Sequence, residues 1–249
     1  MAQAHITQPE FPNIVTLLAR KFQGTSFGES LSLWENVIFS IIIVCILSLL
    51  AYRASRNARL VPGRLQNAVE FLVGGVDDFI CGILGTQGRK YTPFIGTLFI
   101  YILFMNLFGL IPFMKSATAS WSTTAALAIC VFIYVQYTAF KEFGIFGYID
   151  HLAGKPRGVL AFTIVFPLFM FTLHLMTELI KPITLSLRLR SNIWGDDLLL
   201  AVLAGFGFKG LPLLFFSMLL TIVAATLQAM VFSILSTIYF ALVLTANDK

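Results

Sequence analysis

The stretch GVLAFTIVFPLFMFTLHLMTELIKPITLSLRLRSNIWGDDLLLAVL, Gly158 to Leu203, decides the fold. It is overwhelmingly apolar, yet it carries His174, Glu178, Lys181, Arg188, Arg190, Asp196 and Asp197. As one helix rising 1.5 Å per residue it would be about 69 Å long, more than twice a hydrocarbon core of about 30 Å. One upright span cannot hold it: either it tilts strongly, bending at Pro167 or Pro182, or it breaks into two shorter helices. An arginine at the centre of a transmembrane helix costs roughly 2.5–3.5 kcal/mol on insertion scales. Ionisable groups at that depth therefore face a wet cavity or a partner, and mark an ion pathway.

The rest of the chain agrees with a membrane setting. Of 249 residues, 58% are hydrophobic and 12% charged, with mean hydropathy +0.87; a soluble domain carries about 25% charged residues. Apolar runs of about 20 residues span a bilayer as helices because each backbone polar group must be satisfied within its own segment. The expectation is an all-α integral membrane protein forming a single domain over 1–249. A net charge of +5 would raise nucleic acid as a partner for a soluble chain. Here the basic residues sit beside apolar runs, so topology accounts for them and no nucleic-acid partner is expected. Cys45, Cys81 and Cys130 are scattered in apolar surroundings and read as small core hydrophobes rather than a disulfide framework or a metal site. The polar segment 1–32 lacks the basic, apolar and small-residue regions of a signal peptide and reads as a mature N-terminus.

A first span, 33–52, ends in Arg53, Arg56, Arg59 and Arg64, which the positive-inside rule assigns to the cytoplasm, leaving the N-terminus outside. Over 67–84, Glu70, Asp77 and Asp78 interrupt Phe71, Leu72, Val73, Phe79 and Ile80, the pattern of an amphipathic interfacial helix. Pro93 opens a second span, 94–113, and a polar loop, Lys115 to Ser122, lies outside. The third span, 123–140, returns to Lys141 and a loop holding Lys155 and Arg157. The final run, 211–246, is overlong like 158–204 and ends in Asp248 and Lys249, placing the C-terminus in the cytoplasm. Together these make about five membrane-embedded helices plus the interfacial one. Gly205, Gly207 and Gly210 match the G-x-G-x-x-G pattern of dinucleotide sites, but no β-strand precedes them; glycines between two long helices serve a tight turn.

With Arg188 set to zero and about 100° per residue, Lys181 falls at about 20°, His174 and Asn192 at about 40°, and Glu178 and Asp196 at about 80°. Six polar residues thus share one face over about 33 Å. Charged groups that merely close a helix interface are a plainer reading for an isolated pair. For six in line it is weaker, since interhelical hydrogen bonds in membranes contribute about 0.6 kcal/mol on average. The stripe reads as wet. Asp197 and Arg190, at about 180° and 200°, project to the other side, where they snorkel, pair or line a separate cavity. His174 and Glu178 also have the i, i+4 spacing of metal ligands, but no third ligand stands near, so no metal or cofactor is expected. In the last run Ser217, Thr221 and Gln228 recur on one face able to meet the stripe, and Gln228 is the costliest of them to bury.

Leu185-Ser186-Leu187-Arg188-Leu189-Arg190-Ser191-Asn192, followed by Asp196 and Asp197 and then by Leu227-Gln228-Ala229, resembles the a subunit of F-type ATP synthase. So does Met105-Asn106-Leu107-Phe108-Gly109-Leu110-Ile111-Pro112 in the second span. The resemblance covers essentially the whole membrane part. It implies a stator whose last two helices form a long, strongly tilted hairpin against a rotating c-ring. The implied partners are the c-subunit ring, b-type peripheral stalk subunits, the rest of the complex, protons and membrane lipid, in the bacterial plasma (inner) membrane. By position, Arg188 would be the arginine facing the ring, with Asn192 and Gln228 its polar neighbours. Asp197, with Asp196 beside it, would serve the proton intake path, and His174 and Glu178 the cytoplasmic outlet. Two departures stand out: Thr221 occupies a position where many members carry an ionisable residue, and Arg190 and Ser191 replace the commoner aromatic and glycine.

The chemistry of such a stator asks for these residue types. A ring carboxylate must lose its proton to one side and collect another from the opposite side through two offset half-channels. An arginine between them attracts the ionised carboxylate and, unlike lysine, keeps its own proton when desolvated. Carboxylates and imidazole suit the half-channels because both exchange protons readily. The expected function is therefore a non-catalytic, proton-translocating stator subunit. The rival is a self-contained ion-coupled secondary transporter, whose usual internal repeats and broken helices are not visible in this sequence. A purely structural anchor does not account for a charged stripe of this length.

Overall fold

A computed structural model describes residues 34–56, 62–111, 114, 116–152 and 160–247. Segment 1–32, Arg59, Pro112, Lys115, Lys155, Arg157, Asp248 and Lys249, all used in the topology reading, lie outside the described residues. Among the described residues regular structure is entirely helical: α1 (Glu35–Arg56), α2 (Arg64–Leu84), α3 (Thr92–Phe108), α4 (Trp121–Leu152), α5 (Leu160–Gly205) and α6 (Leu211–Asn247). Four stretches are long and apolar enough to cross a bilayer: Glu35–Arg56, Trp121–Gly144, Leu168–Gly205 and Leu211–Thr245. The apolar α3 is shorter, at 17 residues. The chain is an all-α, multi-pass membrane protein.

Helix α1 exposes Ile41, Val44 and Leu49 and buries Phe39 and Ile43, as expected of a helix with lipid around most of its circumference. Amphipathic α2 turns Ile80 inward and leaves Phe71 84% exposed. Asp77, one of the acids that interrupt the apolar pattern of α2, accepts a 2.7 Å hydrogen bond from Thr92 Oγ1 and sits 3.6 Å from Arg89 Nε. The carboxylate thereby ties α2 to the start of α3, where Pro93 occupies the first turn. Helix α3 stops earlier than the expected 113. Its last turn gives way to i→i−3 bonds at Gly109, Leu110 and Ile111 as the chain approaches Pro112, whose ring disfavours helix in the residue before it. Helix α4, conversely, runs past the expected 140 to Leu152, kinked at Gly144 (φ 67°, ψ 170°).

The long stretch is one helix. α5 holds 46 residues and passes Pro182 without ending, so of the two readings the sequence permits, division into two helices is not realised. At about 69 and 55 Å, α5 and α6 would lean roughly 55–65° from the normal to stay within a core of about 30 Å. The glycine motif between them is a turn: Gly207 has φ +61°, and a Cβ on Gly210 would lie 2.6 Å from the Leu203 carbonyl oxygen. Ile80, Ile95, Ile102, Val131, Leu185, Leu189, Ala229, Phe232 and Phe240 form the main core, linking α2 through α6. Phe240 stacks on Tyr91 at 4.7 Å and meets Tyr134 at 5.4 Å, centroid to centroid.

Candidate functional site

From Ile180 onward, burial divides α5 into two faces. Leu185, Ser186, Leu189, Ile193, Leu200 and Leu203 are buried, at azimuths of about 60–160° from Arg188. Ile180, Ile183, Leu187, Trp194, Leu198 and Val202 are exposed, at about 220–320°. Arg188 is exposed and stands at the margin between the two. The charge is therefore outside the packed core and beside a broad apolar face that the described residues do not cover.

On one flank of the packed face α5 meets α6. Asn192 Nδ2 donates to Gln228 Oε1 at 2.6 Å, and Lys181 Nζ lies 5.3 Å from the centroid of the Tyr239 ring. The two contacts are eleven residues apart on each helix, so they belong to one antiparallel register set by the glycine turn. Gln228 is buried, and its Nε2 has no hydrogen-bond partner among the described residues. One turn of α5 separates Asn192 from Arg188, so this amide pair faces the side of the helix from which the guanidinium projects. Ser217 and Thr221, predicted to share a face with Gln228, are also buried. Thr221 returns its hydroxyl to the Ser217 carbonyl at 3.1 Å, while Ser217 Oγ is without a partner among the described residues.

On the other flank α5 meets α4. Glu178 pairs with Lys181, one turn on, and accepts a 3.0 Å hydrogen bond from Gln136 Nε2 on α4. The stripe is therefore not uniformly wet: its Glu178–Lys181 section is an ion pair held between Gln136 and Tyr239. His174, a turn before Glu178, is exposed, with Nδ1 3.1 Å from the Met170 carbonyl oxygen. Toward the other end, Asp196 and Asp197 are both half-buried and diverge by about 100°. Arg190 leaves the stripe, as its azimuth predicts. Its guanidinium carbon lies 5.4 Å from the centroid of Trp121, the first residue of α4.

Gln136, Tyr239 and Trp121 belong to this arrangement and are not singled out by sequence reasoning. Gln136 is the one amide in an otherwise apolar span, a signal as strong as that of Gln228. The two aromatics carry no such mark, since rings at helical spacing are ordinary core residues. The second-span motif has its own buried network: Thr118 Oγ1 donates to Asn106 Oδ1 at 2.7 Å and lies 2.6 Å from Ser116 Oγ.

Comparison with known proteins places these residues in a family context. Residues 37–241 match the family model described as ATP synthase A chain. The chain is 42% identical over 243 residues to ATP synthase subunit a of Protochlamydia amoebophila, covering 94% of this chain and 89% of that protein. It is 37% identical over 205 residues to ATP synthase subunit a 3 of Pelobacter propionicus, with 82% and 85% covered. With ATP synthase subunit a of Helicobacter pylori the identity is 33% over 223 residues, with 89% and 95% covered.

Proposed function

The chain belongs to the ATP synthase A chain family and is a membrane-sector subunit of that complex, and from this premise we propose that it is the proton-translocating stator, with Arg188 as the gate between two half-channels. The observation that carries the proposal is the place of Arg188: exposed, at the edge of an apolar face of α5, with its neighbours on the packed side locked to α4 and α6. A c-subunit ring is the partner that fits this face. It would bring a carboxylate past Arg188 while lipid-like contacts with Leu187, Trp194 and Leu198 exclude water.

In the synthesis direction a proton enters from outside, passes Asp196 and Asp197, and protonates a ring carboxylate. Rotation carries the neutral carboxyl away through lipid. The carboxylate arriving from the other side has released its proton to the cytoplasm through the Glu178 and His174 end of α5, and pairs with Arg188 as it passes. The guanidinium keeps its proton under desolvation, so no proton crosses directly. Each proton that bypassed the ring would waste about 2.3 kcal/mol per 100 mV. The polar Asn192–Gln228 pair supplies hydrogen-bonding capacity beside the gate, and the buried Ser217 and Thr221 stand in the intake path without an ionisable group. The subunit catalyses no bond change itself. Arg53 and Arg56 at the end of α1 support a cytoplasmic placement of that end, an outer N-terminus and a cytoplasmic C-terminus in the bacterial plasma membrane. Peripheral stalk subunits of the b type complete the stator.

Cysteine cross-linking tests the docking face. In the assembled complex lacking Cys45, Cys81 and Cys130, Leu187→Cys and Ser191→Cys should form disulfides with cysteines on the proteolipid helix. Leu185→Cys and Leu189→Cys, on the buried face, should not. Cross-linking from the buried positions instead would remove the proposed ring surface.

A further inference from the structure

We infer that α4 holds α5 in a two-point clamp, Gln136 to Glu178 and Trp121 to Arg190, that fixes the rotation of the segment bearing Arg188. The inference rests on the gate reading of Arg188 and makes Gln136, Trp121 and Arg190 positioning residues for it. Both α4 groups come from one helix and grip α5 on either side of the gate, ten residues before Arg188 and two after it. The contacts run antiparallel: the start of α4 meets the later point on α5, and the middle of α4 the earlier one.

The geometry explains why two points are needed. A single contact leaves a helix free to roll about it, whereas two contacts separated by about 18 Å along α5 oppose both rolling and sliding. Their azimuths, about 80° for Glu178 and about 200° for Arg190, differ by about 120°, so the two contacts grip different sides of α5. A roll of about 20° would swing a side-chain tip about 5–6 Å from the axis through about 2 Å. Misplacement by about 1 Å is enough to cost a reacting geometry about 100-fold. The α6 contacts at Asn192 and Lys181 lie on the Arg188 side together with Glu178; the Trp121 contact on Arg190, at about 200°, opposes them from behind.

Arg190 suits this role by the same features that exclude it from the stripe. Its side chain is half-buried, its Nε is buried without a hydrogen-bond partner among the described residues, and its charge rests on an indole face. A cation over a ring tolerates that arrangement without the bonded acceptor a buried guanidinium otherwise needs. Gln136 anchors the other point through the oxygen of Glu178 that the Lys181 pair leaves open.

The test uses the assembled complex in membranes, with Trp121→Leu, Gln136→Leu and the double variant, none of which alters a half-channel residue. Spin labels at exposed positions 133 on α4 and 179 on α5, the latter off the proposed ring face, in a background without the native cysteines, report the inter-helix distance distribution; passive proton leak through the membrane sector reports the gate. Each single variant should broaden the distribution and raise the leak about two- to threefold, the factor that corresponds to one hydrogen bond of average membrane strength. The double variant should be little worse than either single, since one remaining contact already leaves α5 free to roll, and Trp121→Phe, which keeps a ring face for Arg190, should restore most of the loss. An unchanged distribution in the double variant would overturn the clamp. A broadened distribution with no added leak would uphold the clamp and count against Arg188 as the gate.

Discussion

Asn192 Nδ2 donates to Gln228 Oε1 across 2.6 Å, joining two helices through residues 36 positions apart in the chain. Removing Gln228 strands the Asn192 amide beside the gate, and removing both leaves nothing stranded. Asn192→Leu and Gln228→Leu should each slow ATP-driven pumping in inverted vesicles, with the double variant no worse than the poorer single. A coupling of about 0.6–1.7 kcal/mol is expected from a double-mutant cycle on detergent unfolding. Strict additivity would mean the two amides act separately.

Arg188→Lys keeps a formal cation, but its amine can release a proton when desolvated and it lacks the planar fork. ATP-driven acidification of inverted vesicles should be abolished while the complex still assembles. Pumping near the wild-type rate would remove Arg188 from the gate.

Asp196 and Asp197 are adjacent, half-buried and divergent. If they share the intake path that Thr221 leaves without an ionisable group, Asp196→Asn with Asp197→Asn should reduce passive proton conductance more than either change alone. A double variant conducting like wild type would locate the intake elsewhere.

The ends of the stripe should open to opposite phases. Cysteines placed singly at 174 and 178 should react with a membrane-impermeant thiol reagent from the cytoplasmic side, and those at 196 and 197 from the outer side. Reaction of all four from one face would indicate one continuous pore and end the two-half-channel description.

Gly210→Ala tests the hairpin turn that sets the α5–α6 register. Its Cβ would press on the Leu203 carbonyl at 2.6 Å, a backbone atom that cannot swing aside. A loss of about 1–3 kcal/mol is expected, read as a lower midpoint of thermal or detergent unfolding. An unchanged midpoint would show that the turn can relax without disturbing the helices.

Much of this was legible in the amino-acid order because it depends on local composition and period. Apolar runs pointed to helices, Arg53 and Arg56 fall in the last turn of α1 whereas α4 continues past Lys141, and the 3.6-residue repeat collected Lys181, Arg188 and Asn192 on one side of α5 while sending Arg190 to another. Those properties follow from backbone geometry and bilayer thickness, which act on any segment whatever it packs against. The residues around Arg188 carry the resemblance to the family in their order alone.

Tertiary structure decided what the pattern leaves open: the partners. Periodicity places Glu178 on the stripe but does not choose between water and the ion pair with Lys181 plus Gln136. It puts Arg190 off the stripe without identifying Trp121, 69 residues earlier, as its resting place. Pro182 allowed either a broken or a continuous helix, and the helix is continuous through it. Each of these outcomes depends on which side chains distant segments bring within a few ångströms, and a one-dimensional repeat holds no record of that. The sequence by itself determined the helices, their polar faces and the chemistry available on them; only the packing of α4, α5 and α6 decided which charges are locked together and left Arg188 exposed at the edge of an open face.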